Sequence, residues 1–297
     1  MTSDLITGKE LWAWRRWGRE LAKSHDVSER ELDWLLQSVA NLDRLTLRLE
    51  SIGAEESIEI SIPLDRLSVL WLDRVRDRQP VQYLVGKTYW RDFELVVARA
   101  VLIPRPETES IIDIALAASS IDQQQGIWVD LGTGSGAIAI GLARVLPHIQ
   151  IYGVDLSSEA LDIAAVNVSR LNLLDRIELS QGSWWSSLGH LNGKVAVMIS
   201  NPPYIPAQEV LLLQPEVANY EPHLALDGGF DGLEAIRLLV DTAPEYIQPG
   251  GIWLIEMMAG QGNDVTDLLI RQGGYVDIQI INDLAGLDRF VLAKLRS

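Results

Sequence analysis

Ile127-Trp128-Val129-Asp130-Leu131-Gly132-Thr133-Gly134-Ser135-Gly136-Ala137 is the stretch that decides the fold. An apolar run closed by glycines reads as a buried strand entering a tight turn, and Ala137 to Leu146 reads as the helix that follows. The glycines let the backbone pass close to a ligand, and the start of the helix offers N–H groups that no helical carbonyl claims. A second strand, Ile151 to Val154, ends at Asp155, 19 residues after Gly136, where a carboxylate can accept from both hydroxyls of a ribose. Strand, glycine turn, helix and strand-end acid in this order predict a cofactor site. The same signature opens nicotinamide-binding units, since Gly132, Gly134 and Ala137 fit the looser fingerprint ending in alanine. A dehydrogenase is the competing chemistry at this point.

Outward from this unit, strands and helices alternate. Helices are expected at Glu159 to Leu171, Leu233 to about Tyr246 and Asp264 to Arg271. Strands are expected at Ile177 to Leu179, Val195 to Ile199, Ile252 to Ile255, Tyr275 to Ile281 and Arg289 to Leu295. Such alternation predicts a mostly parallel sheet covered on both faces. The last two strands are too close in sequence to enclose a crossover helix, so the final pairing is expected to be antiparallel. Seven strands with only the last reversed is the Rossmann-like α/β arrangement of the class I methyltransferases, in which ligands bind at the carboxyl ends of the strands.

A second motif ends the apolar run Val195 to Ile199: Ser200-Asn201-Pro202-Pro203-Tyr204. Both prolines fix their own φ and bias the preceding residue toward extended backbone, so the segment is stiff before any ligand arrives. Neither proline has an N–H. The backbone there presents acceptors only, and Asn201 Oδ1 adds another. A rigid set of acceptors beside an aromatic face suits a planar group with two N–H donors, such as a carboxamide or the exocyclic amine of a base. A dehydrogenase gives no account of it. The long irregular segment from Ile205 to Asp231, with Pro206, Pro215 and Pro222, is expected to act as a lid over bound substrate. Trp184 and Trp185, between the third and fourth strands, are candidates for packing on a purine, with a core role open for either. Asp130 is placed to reach a cationic amine through water, or to be satisfied by nearby N–H groups.

Upstream, residues 1–80 read as a small helical domain. Leu11, Trp14 and Leu21, then Leu32, Leu35, Leu36 and Val39, recur at helical spacing. Ser28 with Glu31 forms a capping-box signature, and Pro63 opens a third helix. Trp12, Trp14, Trp17, Trp34 and Trp71 are expected to supply core bulk. Residues 81–104 read as a hairpin linker, with Tyr83, Val85, Tyr89, Phe93, Leu95 and Val97 alternating around Arg91-Asp92. Ile103-Pro104-Arg105-Pro106-Glu107-Thr108-Glu109 then starts a helix, with Pro106 at its first position and the acids complementing the dipole. The catalytic domain is expected to span residues 105–297.

The formal charge of −16 over 297 residues argues against a broad basic footprint and a stable nucleic-acid partner. The chain has no cysteine, which excludes disulfides, thiolate metal sites and Cys nucleophiles and fits a cytoplasmic location. Its four histidines show no ligand spacing, so no metal is expected. No signal-peptide pattern and no run of about twenty uncharged apolar residues is present, so no membrane association is expected.

With both motifs assembled, the chain resembles the PrmC/HemK family of glutamine N5-methyltransferases acting on peptide chain release factors. The likeness covers the helical domain, the hairpin, Ile103 to Glu109, the glycine turn, Asn201-Pro202-Pro203-Tyr204 and Asp227-Gly228-Gly229 through Asp231-Gly232-Leu233. The resemblance implies S-adenosylmethionine held by Gly132, Thr133, Gly134, Ser135, Gly136, Asp155, Trp184 and Asn201, with S-adenosylhomocysteine as product. It implies a substrate glutamine held by Asn201, Pro202, Pro203 and Tyr204, with Asn201, Pro202 and Tyr204 catalytic, and the glutamine in the Gly-Gly-Gln loop of class 1 release factors. The helical domain would recognise that substrate. Ser183 stands before Trp184 where many relatives place an acid able to accept from the adenine amine. A methyltransferase for a ribosomal-protein glutamine or for adenine N6 is the alternative within the class, and a cofactor-bound adaptor the alternative outside it.

Overall fold

The computed structural model describes residues 4–40 and 42–297, which divide into two compact units. The smaller runs to Gly86 and takes in the short segment Pro215–Tyr220; the larger is Lys87–Gln214 with Glu221–Ser297.

In the smaller unit, β1 (Asp4–Thr7) pairs antiparallel with β2 (Ser57–Ile60), and between them lie α1 (Gly8–Ser24), α2 (Glu29–Ala40) and α3 (Arg44–Leu49). α4 (Leu64–Asp77) and the short α5 (Val81–Val85) follow. Leu11, Leu32, Leu35, Leu36, Leu67 and Trp71 are fully buried, with Trp12 and Trp14 nearly so, whereas Trp17 remains 39% exposed. The residues at helical spacing therefore form the core of this unit. The two strands and α3 were not legible from spacing, being short and flanked by stronger helical patterns.

Ser28 Oγ caps α2 by accepting from Arg30 N–H at 3.3 Å, but Glu31 does not close a box with it, and the full capping box lies at the start of α1. Thr7 and Glu10 form it, with Thr7 N–H donating to Glu10 Oε2 at 2.8 Å and Glu10 N–H to Thr7 Oγ1 at 3.3 Å. The Glu31 carboxylate instead accepts from the buried Arg74 guanidinium of α4, a charge-assisted pairing stronger than a cap bond. Tyr83 and Val85 are likewise helical, in α5, because Pro80 starts a turn that Gly86 ends in the left-handed region.

The larger unit opens with the hairpin of β3 (Lys87–Trp90) and β4 (Phe93–Val96), turning at Arg91-Asp92. One 3₁₀ turn over Glu107–Glu109 leads into α6 (Ser110–Ala118). Then come β5 (Ile127–Leu131), α7 (Ala137–Val145), β6 (Gln150–Asp155), α8 (Ser158–Arg170), β7 (Ile177–Gln181) and β8 (Val195–Ser200). After β8 come the one-turn helix α9 (Ala207–Val210) and, in the segment that belongs to the smaller unit, α10 (Pro215–Ala218), before α11 (Glu234–Thr242), β9 (Ile247–Glu256), α12 (Gly262–Gln272), β10 (Tyr275–Asn282) and β11 (Asp288–Leu295) complete the chain.

The seven-stranded sheet has the order β10-β11-β9-β8-β5-β6-β7, parallel throughout except for β11, which runs antiparallel to both its neighbours. This is the class I methyltransferase arrangement expected from the sequence. Successive residues of a strand covered on both faces serve opposite cores. Trp128 joins Ile138, Ile140 and Leu142 on one side, and Val129 and Leu131 join Met198, Trp253 and Leu269 on the other. All six residues of β8 are buried. Strand order reverses between β5 and β8: from β5 the chain winds outward through β6 and β7, then returns to the other side of β5. The crevice at such a switch point is where open sheets bind ligands.

Candidate active site

Sheet register brings the two motifs together. Leu131 pairs with Val154 on one side and with Ser200 on the other, so the next residue of each strand, Gly132, Asp155 and Asn201, emerges at one edge. Ser200 Oγ locks the alignment by donating to the Leu131 carbonyl at 2.6 Å. The turn after β5 is cinched to β6, with Gly132 N–H and Thr133 N–H both donating to the Val154 carbonyl at 2.8 and 3.0 Å. Gly132, Gly134 and Gly136 have φ of 77°, 54° and 82°, values that penalise a side chain and explain the glycine spacing.

A cavity of about 760 Å³ opens on these residues, entirely within the larger unit, and its size suits a nucleoside-bearing cofactor. Gly132, Thr133, Gly134, Ser135, Asp155, Trp184, Asn201 and Pro203 line it. Gly136 does not line it and serves as the left-handed cap that starts α7. Pro202 is buried behind the wall, and Tyr204 turns its hydroxyl away from the cavity to donate to Glu256 Oε1 at 3.1 Å. Of the two tryptophans between β7 and β8, Trp184 faces the cavity and Trp185 stacks on Tyr246 at 4.4 Å in the core.

The acids are electrostatically distinct. Asp155 Oδ2 accepts from Gly134 N–H at 2.8 Å and Oδ1 from Ser157 N–H at 2.9 Å; burial raises its pKa, and these amides pull it back. Asp130 is fully buried and its pKa is pushed up to about 7 by burial, against the Thr133 hydroxyl at 2.6 Å and Ala139 N–H at 3.2 Å. Its Oδ1 has no hydrogen-bond partner. An orphaned carboxylate oxygen beneath the glycine turn, a strand-end acid with lone pairs to spare and an aromatic wall fit a cofactor bearing a cationic amine, a ribose and a purine.

Four residues that carry the site were not assigned from sequence. Thr108 lines the cavity, and Asn201 Nδ2 donates to its hydroxyl at 3.4 Å. Arg105 also lines it, pairing at 2.6 Å with Glu221, which is almost fully buried just before the cavity-lining Pro222–Ala225 turn. Asn167, buried on α8, donates to the carbonyls of Ser135 and Val96 at 2.9 and 3.0 Å and accepts from Val96 N–H at 2.7 Å. Glu256 is buried at the end of β9. An acid closing an apolar strand is the signal already read at Asp155 and could have found Glu256; one polar residue on an amphipathic helix marks nothing.

Among the described residues no cluster of His, Asp or Glu is suited to a metal, and no helix is long and apolar enough to cross a membrane. Residues 113–230 match the family model of the methyltransferase small domain. The fold is shared with a methyltransferase from Pyrococcus furiosus, with a TM-score of 0.51 at 17% identity over 78% of this chain and 98% of that one. A protein of Thermosynechococcus vestitus called release factor glutamine methyltransferase is 46% identical over 97% of this chain and 99% of its own. One of the same name from Synechocystis is 48% identical over the full length of both. Likeness at that level from end to end, on a fold whose sheet edge joins the glycine turn to Asn201, places this chain in the release factor glutamine methyltransferase family.

Proposed function

We propose that the protein transfers a methyl group from S-adenosylmethionine to the side-chain amide nitrogen of the glutamine in the Gly-Gly-Gln loop of class 1 release factors. The observation that carries this reading is the position of Asn201: its amide nitrogen is engaged by Thr108, its backbone neighbours are donor-free, and it opens on the same cavity as the glycine turn. The names of the full-length relatives support the choice of a glutamine substrate in a release factor.

Gly132 to Ser135, Asp155 and Trp184 would hold the cofactor, with Asp130 offsetting its cationic amine. Bound S-adenosylmethionine supplies an electrophilic methyl on a sulfonium. An amide nitrogen is a poor nucleophile because its lone pair is delocalised into the carbonyl, and this chain's residues offset that weakness. Asn201 Oδ1, which opens on the cavity, accepts one N–H of the substrate, and the carbonyl of Pro202, whose ring is buried, would accept the other, fixing the nitrogen's orientation and stabilising the positive charge that develops on it. The stiffness of Pro202-Pro203 keeps those acceptors in place. The extra proton leaves after transfer, when the nitrogen is acidic, so no general base is required in the slow step. The helical unit would recognise the folded part of the substrate.

Incubation with labelled S-adenosylmethionine and, separately, a class 1 release factor, ribosomes or an oligonucleotide tests this. Label confined to the release factor, and lost when its glutamine is replaced, is the expected outcome. Label in ribosomes or oligonucleotide alone would overturn the substrate assignment.

A further inference from the structure

Behind the cavity wall lies a chain of polar groups that the reading above does not use. Asn201 Nδ2 donates to Thr108 Oγ1 at 3.4 Å, the Thr108 hydroxyl stabilises the charge of the Glu256 carboxylate, and Tyr204 Oη donates to Glu256 Oε1 at 3.1 Å. Gln261 ties the far end, its Nε2 donating to the Tyr204 carbonyl at 3.1 Å while its Oε1 accepts from Met258 N–H at 3.0 Å. Glu256 has no exposed surface, and its Oε2 is buried without a hydrogen-bond partner. A carboxylate kept in such a place needs a reason, because a neutral amide or an apolar side chain would be cheaper to bury.

The geometry points to Glu256 as a positioning residue that, through Thr108, fixes which end of the Asn201 side chain faces the substrate. An Asn side chain offers an acceptor at one end and donors at the other, and the neighbouring hydrogen bonds decide which way it lies. When Glu256 is ionised it is acceptor-only. The hydroxyl of Thr108 must then turn its proton toward Glu256, leaving only its lone pair for Asn201. Asn201 can meet that lone pair only with Nδ2, so Oδ1 is left facing the cavity as an acceptor. When Glu256 is neutral this constraint lifts: Thr108 can give its proton to Asn201 Oδ1, and the acceptor the substrate needs is turned away. The inference rests on the assignment of Asn201 as the acceptor of the substrate amide.

The groups facing Glu256 set where the change falls. Burial pushes its pKa up to about 7; Thr108, Tyr204 and Arg289 pull it down, and Glu107 pushes it up. Arg289, on β11, is itself held by Asp283 at 3.5 Å. The phenol of Tyr204 is kept protonated by burial and by the adjacent Glu256 charge, so it stays a donor throughout. The competent form is the ionised one. Turnover at saturating cofactor is therefore expected to rise with pH through the neutral range and level off above it.

Two measurements on the full-length protein test this. The first is the pH profile of kcat on a class 1 release factor at saturating S-adenosylmethionine. The wild-type inflection near neutrality should disappear in Glu256→Gln and Thr108→Val, with kcat on the alkaline plateau about 10- to 100-fold lower and, in Glu256→Gln, KM for S-adenosylmethionine unchanged. Thr108→Ser, which keeps the hydroxyl, should restore the wild-type profile. An inflection retained in Glu256→Gln would overturn the proposal. The second measurement needs no turnover: in protein labelled with ¹⁵N-asparagine, the Asn201 side-chain NH₂ signals, assigned by loss in Asn201→Ser, should move with the same inflection in wild type and stay fixed in Glu256→Gln. Signals that ignore pH in wild type would overturn the positioning role. A titrating Asn201 signal in a protein that leaves release factor unmethylated would overturn the substrate assignment and keep the role of Glu256.

Discussion

Replacing Asn167 by alanine tests how the cofactor turn is held. Its side chain joins three backbone groups, Val96 N–H, the Val96 carbonyl and the Ser135 carbonyl, at 2.7, 3.0 and 2.9 Å. Asn167 is 1% exposed and Ser135 3%, whereas Val96 is only half-buried. Each lost bond is worth about 1 kcal/mol net, and a partner left buried and unsatisfied costs about 1–3 kcal/mol. Water can reach Val96 after the substitution but not Ser135, which puts the total at about 3–4 kcal/mol. Urea unfolding followed by tryptophan fluorescence should show a lowered midpoint in Asn167→Ala. Asn167→Asp should be worse still, because it keeps the acceptor for Val96 N–H but sets a carboxylate against two carbonyl oxygens. Since Ser135 belongs to the glycine turn, calorimetry should show weaker S-adenosylhomocysteine binding in both variants. A loss below about 1 kcal/mol in Asn167→Ala, or an Asn167→Asp protein as stable as wild type, would refute the reasoning.

Asn201→Ala should lower kcat by roughly a hundredfold or more, on the scale of losing one preorganised polar partner, with a smaller loss in S-adenosylhomocysteine binding by calorimetry because Asn201 also lines the cofactor cavity. Asp130 has its pKa raised to about 7 in the folded protein, so its contribution to stability is fully present below the unfolded carboxyl range and is lost as pH rises through about 7. A bound cationic amine favours the ionised form; S-adenosylmethionine binding near neutrality should release a proton, read as a buffer-dependent binding enthalpy that Asp130→Asn abolishes. Arg105→Met strands the buried Glu221 carboxylate, which should destabilise the larger unit by about 2–3 kcal/mol and, in limited proteolysis, speed cleavage near Pro222.

Much of the larger unit was legible because its signals are local and repeated. Each strand of the parallel core is a short apolar run ended by turn chemistry, and Asp130, Asp155 and Asn201 each lie at or just beyond such an end. Period and punctuation together placed β5, α7, β6, α8 and β8 within a residue or so. The smaller unit was less legible, because β1, β2 and α3 are too short for periodicity to register. Ser28 and Glu31 show the limit of motif reading: Ser28 caps α2 as its spacing proposes, but a buried arginine 43 residues on takes the Glu31 carboxylate that would have closed the box. Register is tertiary, and it alone makes neighbours of Gly132 and Asn201. Thr108 and Glu256 acquire meaning only when the 3₁₀ turn after Pro106 and the end of β9 converge behind Asn201. Nothing in the composition of either segment announces that convergence.

Mass-spectrometric mapping of a class 1 release factor after reaction with the protein and S-adenosylmethionine tests the central claim most directly. The account predicts a single added methyl on the side-chain amide of the Gly-Gly-Gln glutamine, formed by wild type and nearly absent with Asn201→Ala. A methyl at any other residue, or equal modification by Asn201→Ala, would contradict it.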